Sequence, residues 1–119
     1  MLSKTHRLSK KKDFDTIFKN PAVRVCYAKL MGGRALPNQS AQNRFGIIIS
    51  SKISKKAVER NRLKRQVRQA LKELDKEMAR GYDLVIIALP KLLNSPYQEI
   101  QAELEKIIIK LKLKKPDRV

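Results

Sequence analysis

Between Lys52 and Lys72 the chain sets Lys52, Lys55, Lys56, Arg60, Arg62, Lys64, Arg65, Arg68 and Lys72 against a single acid, Glu59, and threads a regular apolar spacing through them. At about 100° per residue, Leu63, Val67, Ala70, Leu71, Leu74 and Met78 fall within a stripe about 100° wide, the width of a helix face packed on a core. A disordered basic tail has no such stripe; this segment is a helix with a side to bury. Asn61, Arg62, Arg65, Arg68, Gln69 and Lys72 share the opposite, exposed arc. Arg60 falls near the apolar stripe, but in the first turn, where a long side chain can reach around the helix end.

A solvated helix normally mixes signs and gains from pairs four residues apart, whereas this one holds like charges close together at a cost. That self-repulsion points to an anionic partner. The whole chain of 119 residues carries 28 Lys and Arg against 11 Asp and Glu, a net charge of +17. The excess also fills the N-terminal stretch (Lys4, Arg7, Lys10, Lys11, Lys12), so a polyanion met over a wide surface fits better than one small acidic ligand. A membrane surface is the rival polyanion, but the basic helix backs onto a modest stripe without Trp or Phe, unlike an interfacial anchor. No apolar run reaches the length of a membrane span, and the N-terminus lacks the apolar core of a signal peptide, so a soluble, cytoplasmic protein is expected. Cys26 and His6 are each the single residue of their kind. Neither supports a disulfide, a metal site or catalysis.

The length suggests one domain, residues 1–119, with residues 1–8 and the tail 114–119 expected to be flexible. Ser9 is a plausible cap for a first helix to Lys19, with Phe14, Ile17 and Phe18 at helical spacing and Asn20-Pro21 as its stop. Ala22 to Met31 alternates and is rich in β-formers, which predicts a strand; the alternation alone does not choose its buried face. Gly32-Gly33 through Gln42 reads as a loop, Arg44 to Ser50 as a strand, and Ser51 to Ile53 as a short further one. Ser54 is the expected cap of the basic helix, which runs to Arg80 with Gly81 as its stop. Tyr82 to Leu89 reads as a buried strand, and Ser95-Pro96-Tyr97-Gln98 opens a last helix to Leu113. The order α-β-β-β-α-β-α predicts a two-layer α/β sandwich. Its mixed, mostly antiparallel sheet of about four strands would carry helices mainly on one face and leave the other partly open.

Ala57, Val58, Arg60, Asn61, Arg62, Lys64, Arg65 and Arg68 stand in an order that resembles the bacterial ribonuclease P protein subunit, whose signature is an Arg-Asn-Arg triplet followed by Lys-Arg and a further arginine. Asp13-Phe14 with Phe18 four residues on, Arg44-x-Gly46, and Ser51-Lys52 ahead of the helix extend the likeness over most of the chain. The resemblance implies an α/β sandwich with a left-handed βαβ crossover, related to a domain of a small-subunit ribosomal protein. It further implies the small subunit of a ribonucleoprotein endonuclease that removes the 5′ leader of precursor tRNA, with the active site on the RNA. A structural ribosomal or assembly protein fits the composition equally well, and the ordered match around Arg60-Asn61-Arg62 discriminates against it.

On that resemblance, Lys52, Lys55, Lys56, Arg60, Asn61, Arg62, Lys64, Arg65 and Arg68 bind the catalytic RNA by neutralising its phosphates. Asn61 either hydrogen-bonds RNA or braces its arginine neighbours. The leader is expected in a cleft of the open sheet face and first helix, with Phe14, Phe18 and Tyr27 for stacking and Lys12 and Arg44 for phosphates. Spacing alone places Phe14 and Phe18 in the core as readily as in that cleft. Asp13, Asp15, Glu73, Asp75 and Glu77 do not form a two-metal cluster. No catalytic residue and no metal ligand is therefore expected on the protein, and Mg²⁺ would be held mainly by RNA and substrate. The expected partners are ribonuclease P RNA, one per protein monomer, and precursor tRNA, without a small-molecule cofactor.

Overall fold

The computed structural model describes residues 11–115, with side chains from residue 14 onward. The elements are α1 (Lys11–Lys19), β1 (Arg24–Tyr27), β2 (Met31–Pro37), β3 (Arg44–Ile48), α2 (Ala57–Asp75), β4 (Tyr82–Ala88) and α3 (Tyr97–Lys110), with a 3-10 turn over Pro90–Asn94. The strands form one sheet in the order β1-β2-β4-β3; β1/β2 and β2/β4 are antiparallel and β3/β4 parallel. Parallel neighbours need a long crossover, and α2 supplies it.

Period-two alternation sorts the strands into two faces. Met31, Ala35, Phe45, Leu84, Ile86 and Ala88 face the main core, where they meet Leu63, Val67, Ala70 and Leu71 of α2 and Ile100, Leu104, Ile107 and Ile108 of α3. The other face is covered only in part. There Ile17 of α1 packs with Leu36 and Val85, flanked by Phe14, Val23, Ile48 and Ile87. No described helix is long and apolar enough to cross a membrane.

The element order agrees with expectation, but one of the three strands before α2 is a different segment. The stretch read as a loop from Gly32 contains β2, while Ser51 to Ile53 is a turn rather than a strand. Two glycines concealed β2, because they lower strand propensity while being required by their neighbours. A Cβ on Gly33 would lie 2.7 Å from Cγ2 of Ile107 in α3, and one on Gly32 would lie 2.4 Å from the Tyr27 ring. The strand expected over residues 22–31 is accordingly split: β1 ends at Tyr27, and Glu103 of α3 accepts the Lys29 and Leu30 N–H groups at 3.1 and 2.8 Å to hold the turn into β2.

The helix ends also differ from expectation. Ser54 does not cap α2; Lys56 holds that position without a side-chain bond. At the other end α2 stops at Asp75, well before Gly81. Arg80 donates to both the Asp75 carboxylate (2.8 Å) and its carbonyl (3.0 Å), and buried Asn43 donates to the same carboxylate (3.0 Å) and to the Ala79 carbonyl (2.9 Å). Chain leaving the helix is thus drawn back across its end, where Met78 bridges Lys114 and the Lys115 N–H donates to the Glu77 carbonyl at 2.9 Å. In α3 the cap is Pro96, since the Ser95 hydroxyl donates backward to the Lys91 carbonyl instead, and the helix ends at Lys110 rather than Leu113. The proposed Ser9 cap, residues 1–8 and residues 116–119 lie outside the described residues.

Candidate nucleic-acid interface

Burial of Leu63, Val67, Ala70 and Leu71 fixes the rotation of α2 about its axis. Asn61, Arg62, Arg65, Gln69 and Lys72 are consequently exposed, with Lys64 and Arg68 half-buried along the flanks. Lys52, Lys55 and Lys56 extend the exposed cations along the turn before the helix. Among the described residues, Arg62 and Arg65 have no carboxylate partner. Arg60 behaves as its azimuth predicts: its Nη1 reaches back to the Ser54 carbonyl at 2.8 Å. The lone acid, Glu59, accepts the buried Ser54 hydroxyl at 2.6 Å, which in turn accepts the Lys56 N–H at 3.2 Å. Arg60, Ser54 and Glu59 therefore lock the turn, and the field of the remaining cations adds to the positive end of the helix dipole.

The second surface is the sheet face away from α2 and α3. Pairing aligns Tyr27, Gly32, Ile87 and Ile48 in one row across it and Val25, Arg34, Val85 and Gly46 in the next. Tyr27 is 52% exposed, and its ring lies over the space left by Gly32. Phe14 and Phe18 part company: Phe14 is half-buried against the minor core, whereas Phe18 is 40% exposed with its ring 4.9 Å from the Arg34 guanidinium carbon. Arg44 also lies on this face, forked onto Asp83 through Nε at 2.9 Å and Nη2 at 2.7 Å. Asn38 gives the same carboxylate a third hydrogen bond at 2.8 Å. The Lys12 side chain lies outside the described residues.

Phe18, Tyr27 and Arg44 thus share one face, with Phe14 at its base. The face also holds a cation that sequence reasoning missed. Arg34 stands mid-strand in β2, its Nε buried without a hydrogen-bond partner among the described residues. Its alternation with Leu36 was the available signal, hidden by reading Gly32-Gly33 as a turn.

Across α2, Glu73 gathers the start of α3. Its carboxylate accepts Gln69 at 3.1 Å, the Tyr97 hydroxyl at 3.4 Å, and the Gln101 amide. Burial first, then the Glu73 charge and the hydrogen bond to it, raise the Tyr97 pKa above its ordinary value, so the phenol stays a donor at neutral pH.

The family model for Ribonuclease P matches residues 2–112 of this chain. The chain belongs to the ribonuclease P protein family. It is 38% identical over 106 residues to the ribonuclease P protein component of Synechocystis sp., covering 89% of this chain and 85% of that one. In three dimensions it is similar to the RNase P protein of Staphylococcus aureus, with a TM-score of 0.83 at 25% identity over 92% of this chain and 98% of the other. The RNase P protein of Thermotoga maritima gives a TM-score of 0.78 at 25% identity with the same coverage. As a member of this family the protein is a subunit of a tRNA-processing endoribonuclease, with ribonuclease P RNA as its partner.

Proposed function

We propose that the exposed arc of α2 docks on the catalytic RNA and that the open sheet face receives the 5′ leader of precursor tRNA. The observation that carries this reading is the geometry of α2: an apolar stripe buried in the core fixes Arg62 and Arg65 outward and leaves them without carboxylate partners among the described residues. Such cations displace counterions from RNA phosphates, giving affinity that falls steeply with salt and carries little sequence information. Arginine adds a planar fork that spans two phosphate oxygens, which lysine cannot do. Arg60 supports the same surface from behind.

The open face offers what a leader of variable sequence requires. Tyr27 and Phe18 present exposed rings on which any base can stack, and Arg34 lies over the Phe18 ring as a cation at the same surface. Arg44 contributes from an ion pair that holds its guanidinium in place. The protein is expected to act one per RNA.

The reaction itself is assigned to the RNA. Among the described residues no three Asp, Glu, His or Cys side chains gather as a metal site, and several carboxylates are engaged already: Asp83 and Asp75 by arginines, and Glu59, Glu73 and Glu103 by hydroxyl, amide and backbone N–H groups. In this reading Mg²⁺ is held mainly by RNA and substrate. The chain's own contribution is to reduce phosphate repulsion and position the leader. Reconstitution tests this: protein with the ribonuclease P RNA of the same source should cleave precursor tRNA at low Mg²⁺ faster than RNA alone. Equal rates with and without the protein would refute the reading.

A further inference from the structure

Two adjoining depressions run between α2 and the chain leading into α3. One, of about 440 Å³, is lined by Arg62, Arg65, Gln66, Gln69 and Tyr97. Its neighbour, of about 400 Å³, shares Arg62 and Gln66 and continues along Leu93 to Pro96. Three features make this groove more than a gap between helices. The Tyr97 ring is half-buried and packs against the main core, with its hydroxyl directed at Glu73, which also accepts Gln69 and Gln101, so an aromatic wall borders the groove. Gln66 is half-buried, yet its amide makes no hydrogen bond among the described residues, leaving both a donor and an acceptor for an incoming group. Arg62 and Arg65 stand over the same opening.

We propose that this groove holds one unstacked nucleotide of the RNA partner, its base on the Tyr97 ring, its edge against the Gln66 amide and its flanking phosphates on Arg62 and Arg65. The inference rests on the reading of α2 as the RNA-docking surface, and deepens it. A chain of net charge +17 selects an anionic occupant over a second copy of itself. An aromatic wall beside an amide suits a base better than a bare phosphate, which would use the arginines alone. The consequence is a preference for form. A regular A-form duplex keeps its bases stacked inside, so the groove selects a folded RNA that presents a bulged or loop nucleotide where α2 docks.

The test is equilibrium binding of the full chain to its own ribonuclease P RNA across a salt series, with thermal unfolding of each variant alongside. Tyr97→Leu keeps apolar bulk but removes the π-face, and is expected to weaken binding about tenfold without changing the slope of log affinity on log salt. Tyr97→Phe keeps the ring and should recover most of that loss. Arg65→Ala should instead lower the slope by about 0.7 to 0.9, the loss of roughly one phosphate contact. Independently of how Tyr97 variants fold, chemical probing of the bound RNA should find an unpaired base protected by wild-type protein and exposed again by Gln66→Ala. Full affinity of folded Tyr97→Leu, or no unpaired base whose reactivity depends on Gln66, overturns the nucleotide site. If Arg65→Ala still behaves as expected, α2 docking survives that failure; absence of salt-dependent RNA binding by the wild-type protein overturns both.

Discussion

Gly32 and Gly33 are adjacent, yet they face opposite layers and lack a side chain for different reasons. Gly33 faces the main core, where Ile107 is fully buried and has no room to retreat from a new Cβ at 2.7 Å. Gly33→Ala should therefore destabilise the fold by about 1 to 3 kcal/mol, the usual cost of overpacking, measured as a lower urea midpoint at unchanged slope. Gly32 faces the open side. The ring it would meet belongs to Tyr27, which is 52% exposed and can swing into solvent, so Gly32→Ala should cost distinctly less. An equal loss at both positions would show that Tyr27 is clamped rather than resting on the sheet. Phe14 and Phe18 teach the same lesson about faces. Four residues apart on a helix, they share an azimuth to within a fraction of a turn, yet over the inner strands β2 and β4 one packs on the minor core while the other reaches Arg34.

Among the elements, α2 separates stability from recognition along its own axis. Leu63→Ala empties a fully buried site and should cost about 2 to 5 kcal/mol. Arg62→Ala with Arg65→Ala touches no core contact. It should leave the unfolding midpoint within about 0.5 kcal/mol of the parent while lowering RNA affinity and its salt dependence. A comparable fall in stability would make both arginines structural. This division was legible in the sequence because it depends only on a 3.6-residue period, which Leu63, Val67, Ala70 and Leu71 state without reference to anything else. The same holds for β4, whose apolar run from Leu84 to Ala88 lies between Gly81 and Pro90. Features set by partners distant in sequence were not legible. β2 exists because β4 pairs with it and because Tyr27 and Ile107 occupy the volume its glycines leave. The end of α2 is set in part by Asn43, which reaches Asp75 and Ala79 across 32 and 36 positions; the start of α3 turns instead on a local choice, the Ser95 hydroxyl bonding back to Lys91. Arg34 belongs to that concealed strand, and the α2–α3 groove depends on Glu73 and Tyr97 meeting across 24 positions of sequence.

At the scale of the molecule, the sheet stands between the two proposed RNA surfaces. The buried side of α2 packs in the main core on one face, while Phe18, Arg34 and Tyr27 lie on the other. Surfaces divided in this way share no side chain, so their contributions to substrate binding should be separable and nearly additive. Phe18→Ala removes an exposed ring from the open face and leaves α2 untouched. It should weaken holoenzyme binding of precursor tRNA with a long leader by about tenfold, the value of one stacked base, and leave binding of leaderless tRNA unchanged. Arg62→Ala acts earlier, on assembly with the RNA subunit, so at limiting protein both substrates should lose cleavage alike. Combining the two substitutions should multiply their separate effects on the long-leader substrate. If Phe18→Ala weakens leaderless tRNA equally, the open face does not contact the leader. If the double variant falls well below the product of the singles, the two faces are coupled through the sheet, and the most direct route runs through Val85 and Ile86, neighbours in β4 that point to opposite layers.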